Sequence, residues 1–365
     1  MITAISSLAW CLALAACGVG GGTKAALPAG PATTAPPGDQ VLYVALAQGN
    51  RIEAYRLGND GLLPRRPFSS IDVVNPRRLL LAGGVLYAAL DDRIVSIKLA
   101  ADGSLPSRPS AETKPFRGAD YRDLVLVDDV LYAAAPGLRR VQALPLESGH
   151  VPLEALSNSG TGLSDYISLA AANGFVYAGS PTAVRIDTYI IGSDGSLPDQ
   201  PEPQVPETFV DFPQRMEVRG ATLFVIELGD QRISAFPIRT NGLPADEPDS
   251  QTRPVERYAD LVLAGDRLYA SAFNAGRVDV YPLDPVTDAL PDAQPAVSTA
   301  ADPAAFPSGM ILSGGILYVA QAGISRIDGY ILGSDGMPPP YPSTSTSAVS
   351  GGFMTDLAIG TFPPN

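Results

Sequence analysis

The chain is predicted to be an all-β protein, a seven-bladed β-propeller closed by its C-terminal strand, and three observations predict it. First, a Leu-Tyr phrase (varied to Val-Tyr and Leu-Phe) recurs seven times. Its aromatic anchors are Tyr43, Tyr87, Tyr132, Tyr177, Phe224, Tyr269 and Tyr318, spaced by 44, 45, 45, 47, 45 and 49 residues. A period of this size made of short strands marks one propeller blade per repeat. Second, a separate apolar strand precedes repeats two to seven, as in RRLLLAGG from Arg77 and ADLVLAGD from Ala259, and the copy missing before the first repeat reappears at the far end as TDLAIG from Thr355. Third, 36 Gly and 35 Pro with only 17% charged residues describe a turn-dense chain, and 45% hydrophobic residues are enough for a continuous core.

The segments follow in order. Residues 1–17 read as a signal peptide, because the apolar stretch from Ala4 to Ala16 is too short to span a bilayer. Leu14-Ala15-Ala16-Cys17 resembles the lipobox of bacterial lipoproteins, which makes Cys17 the expected lipidation site and the mature N-terminus. No Lys or Arg precedes the apolar run, a departure from that pattern. Cys11 falls in the removed segment and no cysteine follows Cys17, so the mature domain is expected to form no internal disulfide. Residues 18–40, rich in Gly, Ala, Pro and Thr without periodicity, read as a flexible tether. Residues 41–365 are assigned to the propeller. The expected location is the bacterial cell envelope, lipid-anchored at the outer membrane on its periplasmic or surface side. A net charge of −13 argues against nucleic acid or anionic lipid as a partner. Membrane attachment is expected through the lipid alone, and the domain is expected to be monomeric.

Within each blade, Gly, Asn and Asp place a tight hairpin between the inner and second strands, as at Asn173-Gly174 and Gly314-Gly315. A second hairpin joins the third and outer strands at Asp60-Gly61, Asp102-Gly103, Asp194-Gly195, Asn241-Gly242 and Asp335-Gly336. Both hairpins lie on one face. The longer, varied crossings lie on the other, where binding is expected.

An Arg opens the third strand of every blade: Arg51, Arg93, Arg139 or Arg140, Arg185, Arg232, Arg277 and Arg326. These residues either line an anion-binding face or serve what all blades share, such as pairing with a neighbouring carboxylate; the repetition favours the shared structural role. Function is better sought where the repeat breaks. At the opening of the inner strand the seven units carry, in ring order, Asp356, Arg78, Asp123, Ser168, Arg215, Asp260 and Gly309. Arg78, Asp123, Arg215, Asp260 and Asp356 are therefore the candidate catalytic residues at the channel mouth. Three converging carboxylates suit Ca²⁺, or an acid or base beside an Arg that holds an anionic group. Alternatively, the alternating signs pair across neighbouring blades, which is the plainer expectation. No cofactor other than Ca²⁺ is suggested. Tyr121, Tyr166, Phe212, Tyr258, Phe306 and Phe353 lie just upstream, as a ligand floor or as plugs between blades. His150, the only histidine, sits in a turn on the hairpin face and is assigned no role.

The unit LYVALAQGNRIEAYRLGNDGLLP, with its strand pair, Asp-Gly turn and following Leu, resembles the seven-bladed lactonase-type, phosphogluconolactonase-like propellers over about residues 41 to 360. The resemblance implies hydrolysis of a sugar lactone by water activated at the channel mouth, with His, Arg and acidic residues there; here Arg and Asp are available and His is not. The alternative is a non-catalytic lipoprotein scaffold, or a module binding a ligand or protein of the envelope. A divalent-cation-dependent hydrolase using the Asp cluster is a third reading.

Overall fold

A computed structural model describes residues 39–148, 150–151, 154–159, 164–202, 210–349 and 352–363. The segment read as a signal peptide, Cys17 and most of the segment read as a tether lie outside them. The described part is a ring of seven antiparallel sheets. The inner strands, in ring order, are Met354–Phe362, Arg78–Ala82, Asp123–Val127, Ser168–Ala172, Pro213–Arg219, Tyr258–Ala264 and Pro307–Ser313. In blades two to seven, successive strands run outward in chain order. The first blade is composite, as the repeat count requires: Met354–Phe362 pairs antiparallel with Asp39–Leu46, placing Tyr43 opposite Ala358. That strand starts inside the segment read as tether. Six blades have four strands; the fourth, among the described residues, has three, its outer position marked by a Thr188–Glu202 bridge.

The core is divided between the blades. Seven clusters of buried apolar side chains occur, one for each pair of neighbouring blades. In the cluster between blades one and two, Val41, Tyr43 and Ile52 meet Leu86, Val95 and Ile97. Because each sheet packs on both faces, its middle strands read as unbroken apolar runs such as Val85–Ala89, buried throughout.

The recurring Tyr is explained by a bond between blades. Five of the third-to-outer turns hold a Gly at positive φ, +76° at Gly61. The Gly61 carbonyl accepts a 2.6 Å bond from the hydroxyl of Tyr318 in the preceding blade. A Cβ on Gly61 would approach Ile316 Cδ1 to 2.8 Å, so only Gly admits this contact. The same latch joins Tyr43 to Gly103 at 2.7 Å, Tyr132 to Gly195 at 2.8 Å, Tyr177 to Gly242 at 2.9 Å and Tyr269 to Gly336 at 2.6 Å. Burial raises these phenols, to about 12 at Tyr177 and Tyr269. The exception is consistent: blade six replaces Asp-Gly by Asp284-Pro285-Val286-Thr287-Asp288, and the anchor preceding it is Phe224, without a hydroxyl.

Candidate functional site

The inner strands begin at one mouth of the axis, and their opening residues meet there as the repeat predicts. Arg78 contacts Asp123 at 2.8 Å through Nε and Asp356 at 3.1 Å through Nη1. Arg215 contacts Asp260 through Nε and Asp123 through Nη1, both at 3.0 Å. The result is one chain of alternating charge, Asp356–Arg78–Asp123–Arg215–Asp260, with three carboxylates, two guanidiniums and hence a formal charge of −1. All five side chains are largely buried; those of Arg78 and Arg215 are 11% exposed. The sign alternation is thus satisfied by pairing, but not only between neighbours: Arg215 passes blade four, where Ser168 carries no charge, to reach Asp123 in blade three.

Each carboxylate also tethers the next blade. Asp356 accepts the Leu79 amide at 2.8 Å, Asp123 the Leu169 amide at 2.9 Å, and Asp260 the Met310 amide at 2.8 Å. Those amides open inner strands that make no ladder with one another, so the carboxylates supply partners that the sheets cannot. The chain of charges is interrupted at Gly309, where a Cβ would lie 2.9 Å from the Asp356 Cα. Burial works against the charge of Arg215, but Asp123, Asp260, Asp356 and Glu217 outweigh it and lift its pKa above the ordinary guanidinium value.

This arrangement does not fit Ca²⁺. A hard cation needs carboxylate oxygens free of competing cations, and here the three carboxylates face two guanidiniums and three amides. Among the described residues, no group of three or more His, Cys, Asp or Glu side chains is placed to hold a metal ion.

Above the charged floor the mouth widens into a funnel of about 470 Å³. Arg77, Arg122, Gln214, Ser308 and Thr355 contribute to its walls. So does Asp165, which stands three residues before the floor position, where blade three carries Asp120 and blades one, five and seven carry Phe. It accepts a 2.8 Å bond from Ser180 Oγ and a further one from Thr182 Oγ1, and makes no ion pair among the described residues. Residue spacing separates the aromatic group into two. Tyr121, Tyr166 and Tyr258 stand two residues before the floor position, buried between strands, with hydroxyls on Gln142 at 2.5 Å, on Asp187, and on Asp279 at 3.0 Å. Phe212, Phe306 and Phe353 stand three before it, and a one-residue shift reverses the face. Phe212 and Phe353 line the funnel, while Phe306 stacks on Phe273 at 5.2 Å.

The third-strand arginines are structural. Four belong to a pattern missed when only the Arg was followed: Arg-x-Asp/Glu-x-Tyr, at Arg51–Tyr55, Arg185–Tyr189, Arg277–Tyr281 and Arg326–Tyr330. In each the Arg pairs with the acid two residues on, at 2.7, 3.1, 2.7 and 2.7 Å. In blade five Arg232 is near Glu227 instead, at 3.7 Å. His150 lies on the hairpin face, its Nδ1 3.3 Å from Ser110 Oγ, remote from the funnel.

Fold and axis define the class, a seven-bladed β-propeller whose mouth is girdled by paired charges. No family model and no curated protein matches the chain. Solved structures do. A provisional 6-phosphogluconolactonase from Bacteroides uniformis matches with a TM-score of 0.72 at 16% identity, covering 88% of this chain and 99% of its own. The periplasmic gluconolactonase PpgL of Pseudomonas aeruginosa matches with a TM-score of 0.71 at 15% identity, covering 89% and 100%. A second provisional 6-phosphogluconolactonase, from Bacteroides fragilis, gives 0.69 at 15% identity over 90% and 99%. At these identities the likeness establishes the shared propeller fold. No helix among the described residues is long and apolar enough to cross a membrane.

Proposed function

We propose that the protein is a lactonase-like propeller of the bacterial envelope, anchored through Cys17, that binds and hydrolyses a neutral sugar lactone in the axial funnel. The observation that carries this reading is the funnel itself: a small-molecule-sized cavity at the mouth of a gluconolactonase-type fold, floored by guanidiniums and walled by one carboxylate outside the ion-pair chain. A guanidinium has five N–H donors. Arg78 and Arg215 therefore retain capacity to hold a lactone carbonyl oxygen while keeping their carboxylates. Asp165, oriented by Ser180 and Thr182, is the base. Water oxygen adds to the carbonyl carbon as its proton passes to Asp165, and the oxyanion is held by guanidinium N–H groups. Collapse breaks the bond to the ring oxygen, which takes the proton from Asp165, and the open-chain hydroxy acid leaves. A charge of −1 at the floor and −13 over the chain favours an unphosphorylated substrate.

The test is hydrolysis of glucono-1,5-lactone above its spontaneous rate, in wild type and in Asp165→Asn. Turnover is expected, with kcat reduced by about 10²-fold or more in the variant, the range for loss of a positioned base, and melting unchanged. Wild type no faster than buffer, or a variant as fast as wild type, defeats the mechanism. A second reading, a non-catalytic binding module, is favoured by one fact: all three floor carboxylates already have cationic and amide partners. It predicts saturable lactone binding without turnover.

A further inference from the structure

Blade two breaks the third-strand pattern, and a second cavity lies where it does. Its strand reads Arg93-Ile94-Val95-Ser96-Ile97, with Val where four other blades place an acid and Ile where they place Tyr. Arg93 turns instead to Asp92 and Glu112, both at 3.0 Å. Beside it opens a cavity of about 790 Å³ between the outer strand of blade one and blade two. Val73, Leu90 and Val95 give it apolar wall, and Val74 stands exposed at its edge. The second wall is polar and already paired: Arg77 bridges Asp91 at 3.0 Å and Asp120 at 3.7 Å. The exposed Arg117 is at the rim and makes no ion pair among the described residues. Arg77 and Arg122 line both this cavity and the axial funnel.

We propose that this cavity is a binding site for a neutral sugar ring. Three properties select that class. The lining carries five carboxylates and four guanidiniums, a balance of −1 on an acidic protein, so nothing draws in an anion such as a phosphate. A cation fares no better, because Asp91, Asp92, Glu112 and Asp120 are engaged by arginines and, among the described residues, no acidic group is placed to hold a metal ion. What remains is an uncharged ligand that uses planar, two-pronged donors and acceptors, and adjacent hydroxyls on a pyranose match guanidinium and carboxylate forks in this way. The C–H face of the ring covers the valine and leucine wall. The site does not depend on lactone hydrolysis.

The test is saturation-transfer NMR and titration of the full chain with glucose, galactose, mannose and cellobiose, and with glucose 6-phosphate as the charged control. At least one neutral sugar is expected to bind, and more tightly than glucose 6-phosphate. Val74→Trp, which fills the cavity from an exposed position, is expected to abolish that binding, and Arg117→Ala combined with Glu112→Ala to weaken it about tenfold, equivalent to roughly 1.4 kcal/mol. Asp165→Asn, in the funnel, is expected to leave it unchanged. The proposal is overturned if no neutral sugar binds, if binding survives Val74→Trp, or if glucose 6-phosphate binds better than glucose.

Discussion

Replacing Arg215 by Met tests whether the axial charges act as one unit. Arg215 holds Asp260 and Asp123, each at 3.0 Å, in a setting where its own side chain is 11% exposed and those of the acids 5% and 3%. Removing one partner of a buried pair costs about 3–5 kcal/mol, because a charge is left in a poorly solvating site. Asp123 keeps Arg78, so the deficit falls mainly on Asp260, whose cationic partner is lost. At about 2 °C per kcal/mol, the low end for a large domain, the melting temperature should drop by roughly 6–10 °C at pH 7. Adding Asp260→Asn removes the uncompensated charge while keeping an oxygen for the Met310 amide, so the double variant should recover at least about 2 kcal/mol of the loss, within the range of couplings between contacting residues. Differential scanning calorimetry on wild type, both single variants and the double variant closes the cycle. A double variant no more stable than Arg215→Met, or an Arg215→Met protein that melts with wild type, would refute the reasoning.

Two further predictions concern the rest of the ring. Burial raises the pKa of Asp187 despite its bonds from Tyr166 and Arg185; a carboxylate raised on folding contributes stability below the ordinary carboxylate pKa, near 4, that is lost as pH rises through its folded value. The stability of wild type relative to Asp187→Asn should therefore shrink from pH 4 to pH 7 in parallel melts, and a gap that widens contradicts the assignment. Ending the chain before Met354 removes the strand paired with Asp39–Leu46 and bares that strand's edge. The trimmed protein should melt far below wild type and self-associate on size-exclusion chromatography; a monomer with the wild-type transition would disprove closure by the C-terminus.

Much of this molecule is legible in its sequence because a propeller repeats each requirement seven times. The Tyr anchors, the Asp-Gly turns and the orphan TDLAIG strand fix blade number and closure without any distance being known. The alternating signs of Asp356, Arg78, Asp123, Arg215 and Asp260 likewise announce pairing. What the sequence could not convey is reach across the axis. Arg215 bonds a residue two blades away, and only the convergence of the inner strands makes that distance short. Asp165 was hidden for a different reason: it stands three residues before the floor position, where the blades vary among Asn, Asp, Arg and Phe, so no shared residue type marks it. The Arg-x-Asp/Glu-x-Tyr rule was readable all along. It was obscured because following the Arg through all seven blades averages four that carry the acid with three that do not.

The same averaging explains where the cavities fall. A recurring residue is occupied by a contact that most blades share: four third-strand arginines pair with the acid two residues on, and five latch tyrosines reach a turn glycine. The axial funnel and the blade-two cavity both lie where a blade declines the shared contact. At the axis, Ser168 and Gly309 interrupt the charges, and the walls around them include Asp165, Ser308 and Thr355. At blade two, Val95 replaces the acid, and Arg93 turns outward to Asp92 and Glu112. Both openings lie on the face of the crossings, because the hairpin face is committed to the Tyr-to-Gly latches that hold one blade to the next. Stability and binding are therefore divided between the two faces of the ring, and substitutions that alter ligand binding should be found among the crossings without loosening the latches.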